Sequence, residues 1–347
     1  MLQRTTRGMT KTVLVAGGAG FVGSHLCDAL LARGHRVICV DSYLTGSEDN
    51  IRPLENHPSF RMIEKDICAL TSIDEHVDEI YNLACAASPP QYQADPVHTM
   101  MTCVVGTGNL LAIAESHGAS FLQASTSEVY GDPEEHPQRE DYRGNVNCTG
   151  PRACYDEGKR AAEALCFDML RSGRVDARVV RIFNTYGPRM APDDGRIVSN
   201  LIVQALKGEP LTIYGTGEQT RSFCFVSDLV AGLIKLMEVD PNPGQPVNIG
   251  NPGEFTINEL ADMVLAMVPT QSRIVHHPLP MDDPQRRRPD IDRAKELLGW
   301  EPKVPLAEGL RQTIDHFISV MPSNRQGVRF TPAKTRKPLT SDLSLGV

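Results

Sequence analysis

The chain has 347 residues, of which 41% are hydrophobic and 22% are charged, as in a soluble globular protein with a large core. Its net charge of −8 argues against nucleic acid or an anionic membrane as a partner. No apolar run approaches the roughly 18 residues of a membrane span, and the first residues lack an apolar leader. The nine cysteines show no metal-ligand spacing, so we expect reduced thiols, no metal and a cytoplasmic location.

The first half of the sequence alternates short apolar segments with helical patterns. Strands are expected at Lys11 to Ala16, Arg36 to Val40, Arg61 to Ile63, Glu79 to Leu83 and Phe121 to Ala124. Between them, Phe21 to Arg33 and Val104 to Glu115 have helical periodicity. This alternation predicts an α/β fold of the Rossmann type, with a doubly wound parallel sheet.

The second half continues this pattern and then changes. Ala153 to Leu170 is expected to be a long helix and Val175 to Phe183 the next strand, and shorter elements with Gly- and Pro-rich loops follow Tyr186. We therefore predict a dinucleotide-binding domain over 10–185 and 222–250. A smaller, interleaved substrate lobe is expected over 186–221 and 251–320. The polar, aperiodic residues 323–347 are expected to form a disordered tail.

A glycine-rich turn between the first strand and the first helix indicates a dinucleotide site. Gly17, Gly20 and Gly23 allow a tight turn, so the backbone N–H groups near Phe21 and Val22 can approach a pyrophosphate. A purely structural glycine turn is the alternative, but the acidic ends of two further strands favour a ligand. Asp41, 18 residues after Gly23, can accept hydrogen bonds from a ribose and would repel a 2′-phosphate, which favours NAD over NADP. Asp66 and Ile67 are expected near the adenine.

Two segments about thirty residues apart contain groups suited to sugar chemistry. Tyr155 and Lys159 are one helical turn apart, and an ammonium beside a phenol is expected to lower the phenol pKa. Tyr155 can then take a proton from an alcohol, while Thr126 hydrogen-bonds the same oxygen. Simple dehydrogenation does not require Glu128, which therefore suggests a longer reaction. The alternative is that Glu128 has a structural role, with its carboxylate paired to nearby backbone groups or to an arginine.

These segments resemble the extended short-chain dehydrogenase/reductase superfamily and, within it, the UDP-glucuronate decarboxylases. The resemblance runs from Lys11 to Phe317, and Glu128 with the Arg286 to Asp290 run is its most specific part. The matching stretches are Gly17 to His25, Leu83 to Pro90 with Tyr92, Ala124 to Asp132, Gly150 to Arg160, Arg181 to Met190, Asp193 to Leu201, Gln204 to Tyr214, Gln219 to Leu229 and Asp282 to Pro302.

The resemblance implies a reaction and a set of site residues. The glucuronate C4 hydroxyl is oxidised with Tyr155 as base, CO₂ leaves the resulting β-keto acid, and re-reduction gives UDP-xylose. Glu128 is implied as acid/base, Arg287 as the group that places the carboxylate, and Ser127 as a ring contact. Further implied NAD contacts are Leu83 and Ala84, and the remaining implied substrate contacts are Tyr92, Asn184, Arg196, Val198, Ser199, Asn200, Leu201, Tyr214 and Arg221. The resemblance also implies a homodimer.

The sequence departs from the family at two positions near this site. Met101 and Cys103 stand where relatives usually have Lys and Asn, and residues 146–151 also differ from the usual pattern. These departures favour lower activity, a changed acidic substrate or different partitioning of the 4-keto intermediate. A related C4 oxidoreductase, such as a UDP-sugar epimerase or a decarboxylase of another acidic nucleotide sugar, is an alternative, although Glu128 and Arg287 argue against a simple epimerase. A non-catalytic NAD-binding scaffold is a further alternative, but it would not need Thr126, Tyr155 and Lys159.

Overall fold

The computed structural model describes residues 9–278 and 286–321. The predicted tail over 323–347 and residues 282–285 of the last matching stretch lie outside the described residues. A seven-stranded parallel sheet forms the centre of the fold. Its strands are β1 (Thr12–Ala16), β2 (Arg36–Asp41), β3 (Phe60–Glu64), β4 (Glu79–Asn82), β5 (Ser120–Thr126), β6 (Ala177–Ile182) and β11 (Val247–Ile249). They lie side by side in the order β11-β6-β5-β4-β1-β2-β3.

The helices pack on both faces of this sheet and against the short strands that follow β6. They are α1 (Phe21–Ala32), α2 (Glu48–Ile51), α3 (Pro89–Ala94), α4 (Pro96–Met101), α5 (Thr107–His117), α6 (Ala153–Arg171), α7 (Ile197–Lys207), α8 (Val226–Glu238), α9 (Ile257–Met267), α10 (Asp292–Leu298) and α11 (Leu306–Val320). The predicted parallel α/β fold is confirmed, and the expected strands and helices differ from the observed ones mainly at their ends.

Each central strand contributes to two separate hydrophobic cores because its side chains alternate between the two faces of the sheet. Val13 and Val15 pack in the core that contains residues of α1 and α8. Leu14 packs in the other core, with Leu110 of α5 and Cys166 of α6. These fully buried strands explain the continuous apolar runs in the sequence.

Short strands after Tyr186 build the part of the fold that faces the carboxyl ends of the sheet. β8 (Leu211–Tyr214) pairs in parallel with β13 (Ile274–His277). β9 (Thr220–Ser222) lies between antiparallel β12 (Glu254–Thr256) and parallel β14 (Arg286–Arg287). β7 (Thr185–Tyr186) pairs with β10 (Cys224–Phe225).

The segment from α4 to α5 is a continuous helix of 22 residues, Pro96–His117, which includes a π-helical turn over Thr102–Gly106. Among the described residues it is the one helix whose length and apolar composition would allow it to cross a membrane. Half of its most apolar stretch is buried, and it packs against α6. Core helices of globular proteins have the same properties. The expected helix from Val104 to Glu115 is therefore longer than the sequence pattern indicated.

Candidate active site

A cleft of about 1220 Å³ opens at the carboxyl ends of the parallel strands. Its wall includes Gly17 after β1, Asp41 at the end of β2, Leu83 after β4 and Thr126 at the end of β5. The opposite wall comes from the second lobe and includes Arg287 of β14. A ligand crevice in this position is typical of open α/β sheets.

The glycine turn brings the start of α1 close to the neighbouring strands. Gly17 has φ +77°, and a Cβ there would lie 2.8 Å from the backbone nitrogen of Ala84. A Cβ at Gly23 would lie 2.0 Å from the carbonyl oxygen of Gly17. No larger residue fits at either position without a backbone shift, so the turn keeps the N-terminus of α1, which starts at Phe21, open to the cleft.

Two acidic side chains lie next to this turn, Asp41 at the end of β2 and Asp66 after β3. The Asp41 carboxylate accepts hydrogen bonds from the backbone nitrogens of Ala19 and Tyr43, both at 2.9 Å, and its remaining lone pairs can meet a ribose. Burial raises the pKa of Asp41, although these backbone bonds oppose the rise. Asp66 pairs with His98 at 2.7 Å. These residues line the cleft, as do Gly20, Val22 and Ile67. The side chains fit a dinucleotide.

Asp66 and Cys68, which follow β3, and His98 of α4 form a group of side chains that the sequence spacing did not indicate. Atoms of Asp66, Cys68 and His98 that could hold a metal ion lie within 4.8 Å of one another. Asp66 already accepts hydrogen bonds from His98 and from the backbone nitrogen of Cys68, so it has partners without an ion.

The three groups expected for alcohol oxidation meet at the end of β5. Tyr155 and Lys159 lie on α6, which packs against β5, and the Thr126 hydroxyl hydrogen-bonds the phenol. The Lys159 ammonium donates to the carbonyl oxygen of Ala124 at 2.9 Å and lies 5.7 Å from the centre of the Tyr155 ring. The ring of Tyr92 stacks on Tyr155, with centroids 4.9 Å apart and planes within 3°.

The protonation of Tyr155 differs from the sequence-based expectation. Burial raises its pKa well above the ordinary value, and the nearby Cys85 and Cys103 thiols raise it further, while the bond from Thr126 lowers it. The net lowering expected from Lys159 is not observed, because burial is the largest effect on this group. Tyr155 is therefore a neutral phenol near pH 7.

Glu128 lies between two guanidinium groups in the same cleft. One carboxylate oxygen pairs with Arg287 and the other with Arg152, and all three side chains are largely buried. Burial would raise the pKa of Glu128, but the charges of Arg287 and Arg152 outweigh burial and hold it below its ordinary value. The sequence had not singled out Arg152. Its position three residues before Tyr155, within a stretch that resembles the family, was the available signal.

A second buried carboxyl group adjoins this cluster. Asp156 follows Tyr155 on α6, and burial together with the negative charge of Glu128 raises its pKa to about 7. One of its oxygens is buried without a hydrogen-bond partner among the described residues. The pattern around Tyr155 had not indicated this acid, because its burial depends on how α6 packs.

The predicted nucleotide-binding residues separate into two groups. One group lines the cleft and consists of Asn184, Arg196, Asn200, Tyr214 and Arg221. The predicted sugar contacts Ser127 and Tyr92 line the cleft as well. The structure places Val198, Ser199 and Leu201 elsewhere, because these positions of α7 face the protein interior and are at most 3% exposed. Their side chains pack inside the protein, and the expected contact with uridine stays a prediction.

The two departures from the family pattern also lie outside the cleft wall. Met101 is 44% exposed on the outer surface of α4. Cys103 is buried in the π-helical turn against Gly158 of α6, with its sulfur 3.5 Å from that of Cys85. Cys103 therefore supports the catalytic helix from behind.

Comparison with known proteins places this site in a family. Residues 13–250 match the NAD dependent epimerase/dehydratase family. The chain belongs to that family. It is 56% identical over 305 residues to UDP-glucuronic acid decarboxylase 4 of Arabidopsis thaliana, covering 88% of this chain and 68% of that one. It is 54% identical over 307 residues to UDP-glucuronic acid decarboxylase 1 of Danio rerio, covering 88% and 72%.

Solved structures of family members share the whole fold. The UDP-glucuronic acid 4-epimerase of Bacillus cereus, in complex with UDP-glucuronic acid and NAD, superposes with a TM-score of 0.81 at 28% identity. The superposition covers 89% of this chain and 100% of the epimerase. Membership in this family and the fitting glycine turn agree that NAD is the cofactor of the cleft.

Proposed function

We infer that the protein is a carboxy-lyase that converts UDP-glucuronate to UDP-xylose and CO₂, with NAD regenerated in each cycle. The observation that supports this most is the cluster of Glu128, Arg287 and Arg152 beside Tyr155, Lys159 and Thr126 in one cleft. Oxidation of an alcohol needs only Tyr155, Lys159 and Thr126. Decarboxylation also needs positive charge for a carboxylate, which the two arginines provide, and a base for a proton, which Glu128 provides.

The first and last steps take place at the sugar C4 hydroxyl. The turn of Gly17, Gly20 and Gly23 together with Asp41 would hold NAD, which would supply a reversible hydride acceptor for C4. Tyr155 removes the hydroxyl proton and later gives it back to the reduced oxygen, while Thr126 holds that oxygen in place. Because burial raises the pKa of Tyr155, the phenolate needs positive charge at the moment of reaction, and the Lys159 ammonium, 5.7 Å from the ring centre, can supply it.

The middle step is the loss of the carboxylate at C5. In the 4-keto acid, the electrons of the breaking C–C bond move into an enolate on the C4 oxygen, so CO₂ leaves without a metal. Arg287 and Arg152 attract the substrate carboxylate into position. Glu128, ionised between them, can receive a proton and deliver it to C5 after CO₂ has left, either directly or through water. Protonation of C5 restores the ketone for the final reduction.

The nucleotide end of the substrate fits the second lobe. Arg221 and Asn184 line the cleft on the side of β9, where a guanidinium and an amide suit a diphosphate. Tyr214, at the end of β8 and 43% exposed, offers a ring face to uracil. Arg196 is held by Asp194 through two hydrogen bonds, so its orientation at the cleft is fixed before substrate binds.

The experiment is incubation of the purified protein with UDP-glucuronate and NAD⁺, with analysis of CO₂ and of the sugar product. We expect CO₂ and UDP-xylose in equal amounts, with no net NADH. An epimerised UDP-uronic acid without CO₂ would favour the related C4 oxidoreductase, a reading consistent with the fold shared with the UDP-glucuronic acid 4-epimerase. Binding of NAD without conversion of any UDP-sugar would favour a scaffold.

We also propose that the protein is a cytoplasmic homodimer with neither a membrane nor nucleic acid as a partner. Val97, Met101 and Val105 are 71%, 44% and 36% exposed on one helix, and pairing of this helix with its copy would cover them. Sedimentation velocity is expected to give about twice the 38.1 kDa chain mass. Met101→Glu with Val105→Glu should give a monomer, whereas a wild-type monomer would contradict the proposal.

A further inference from the structure

Two cysteine side chains meet directly behind the catalytic residues. Cys85 follows β4 in the loop that lines the cleft, and Cys103 lies in the π-helical turn between α4 and α5. Their sulfur atoms are 3.5 Å apart, although the residues are 18 positions apart in the sequence. All nine cysteines are free thiols in this structure.

The surroundings of this pair favour oxidation at one sulfur and access at the other. A hydrogen bond from Cys85 and the positive charge of Lys159 lower the pKa of Cys103 to about 7, although burial opposes this. Cys103 is therefore the better nucleophile. Cys85 lines the cleft, so a small oxidant can reach its sulfur from solvent. Cys103 is 1% exposed and can be reached only through Cys85 or by a movement of the helix.

We propose that Cys85 and Cys103 form a redox modification site, at which a peroxide converts the two thiols into a disulfide that inactivates the enzyme reversibly. The peroxide, which enters past Cys85, oxidises the Cys103 thiolate to a sulfenic acid and is itself reduced to water. The Cys85 thiol then attacks that sulfur and gives up its proton, the S–S bond forms, and the sulfenic oxygen leaves as a second water molecule. In total, two thiols and one hydrogen peroxide give one disulfide and two waters. A dithiol reverses the step.

The geometry connects this bond to catalysis. Closing the sulfur atoms from 3.5 Å to the roughly 2.05 Å of a disulfide draws the two segments that carry them towards each other. The Cys103 sulfur lies 3.2 Å from where a Cβ at Gly158 would be, so it rests on α6 next to Lys159. On the other side, Cys85 continues the Leu83 and Ala84 segment that packs on Gly17. Displacing either segment by about 1 Å is enough to reduce turnover about 100-fold.

The test uses the full chain treated with hydrogen peroxide. We expect an intact mass lower by two hydrogen atoms and, after digestion without reduction, a peptide pair joined through Cys85 and Cys103. Turnover of UDP-glucuronate should fall by about tenfold or more and recover with dithiothreitol. The activity measurement rests on the proposed function, whereas the cross-link does not, so the two can fail separately.

Three serine variants sharpen the result. Cys85→Ser and Cys103→Ser should each lose the cross-link and keep most of their own untreated activity after peroxide. Cys148→Ser, which removes an exposed thiol that does not line the cleft, should remain as sensitive as wild type. The proposal is overturned if peroxide-treated wild type forms no Cys85–Cys103 bond, or if Cys85 forms a disulfide with the neighbouring Cys154 instead. It is also overturned if peroxide inactivates Cys103→Ser to the same extent as wild type.

Discussion

Replacement of Glu128 by Gln tests the separation between oxidation and loss of CO₂. The amide keeps the size of the side chain and can still accept a hydrogen bond from one guanidinium, but it cannot carry a proton to C5. General acid–base groups contribute about 10²–10⁴-fold, or about 3–5 kcal/mol at 1.36 kcal/mol per tenfold. Tyr155, Lys159 and Thr126 are unchanged, so oxidation at C4 should continue. The variant should accumulate NADH while CO₂ release falls about 10²–10⁴-fold.

The assay combines NADH absorbance with release of CO₂ from substrate labelled in the carboxylate carbon. Removing one partner of a buried ion pair costs up to about 3–5 kcal/mol of stability, so the variant must first be shown to be folded by thermal unfolding. Glu157→Gln is a matched control, since Glu157 lies on α6 outside the cleft and pairs with Arg160. A folded Glu128→Gln variant that releases CO₂ at the wild-type rate would refute the assigned role.

Three further predictions concern the other parts of the site. Tyr155→Phe should lower NADH formation about 10²–10⁴-fold, because it removes the base but keeps the ring stacked on Tyr92; pre-steady-state absorbance measures this. Gly23→Ala should weaken NAD binding at least about tenfold in a calorimetric titration, because the added Cβ meets the Gly17 carbonyl oxygen. Gly108→Ala is the control and should leave NAD binding unchanged, because a Cβ at Gly108 has open space. The pKa of Asp156 is about 7 in the folded protein, against an ordinary value of 3.8, so folding strengthens its binding of a proton. The contribution of this proton to the free energy of unfolding is therefore full below about pH 4 and is lost as the pH rises to about 7. Wild type should therefore lose stability relative to Asp156→Asn between about pH 5 and pH 8 in urea unfolding, and an equal pH response of both proteins would contradict this.

Much of the fold follows from local sequence patterns. The β1 and β2 segments are apolar on both faces and end at Gly17 and Asp41, and this order of strand, turn and acid predicted both the parallel sheet and the cofactor cradle. Tyr155 and Lys159 share a face of α6 because they are one turn apart. Such features depend on residues that are close together in the chain, so local sequence patterns predict them.

Features that depend on long-range packing were missed or predicted wrongly. Glu128 meets Arg287 across 159 sequence positions, and only the family resemblance linked them; Arg152 was missed altogether. The raised pKa of Tyr155 comes mainly from burial, which spacing does not reveal.

The same limit applies to α7 and to the thiol pair. Val198, Ser199 and Leu201 belong to a helix of which only one side reaches the cleft, and the sequence did not indicate which side. Contact between Cys85 and Cys103 requires the position of the π-helical turn, which shifts the helical register at that point.

The most direct test of the central claim is the carbon balance of one reaction, in which purified protein and NAD⁺ are incubated with UDP-glucuronate labelled in the carboxylate carbon. The account predicts that all label leaves as CO₂, in equal amount to the UDP-xylose formed. Label that stays in a UDP-uronic acid, with the protein folded and NAD bound, would contradict it.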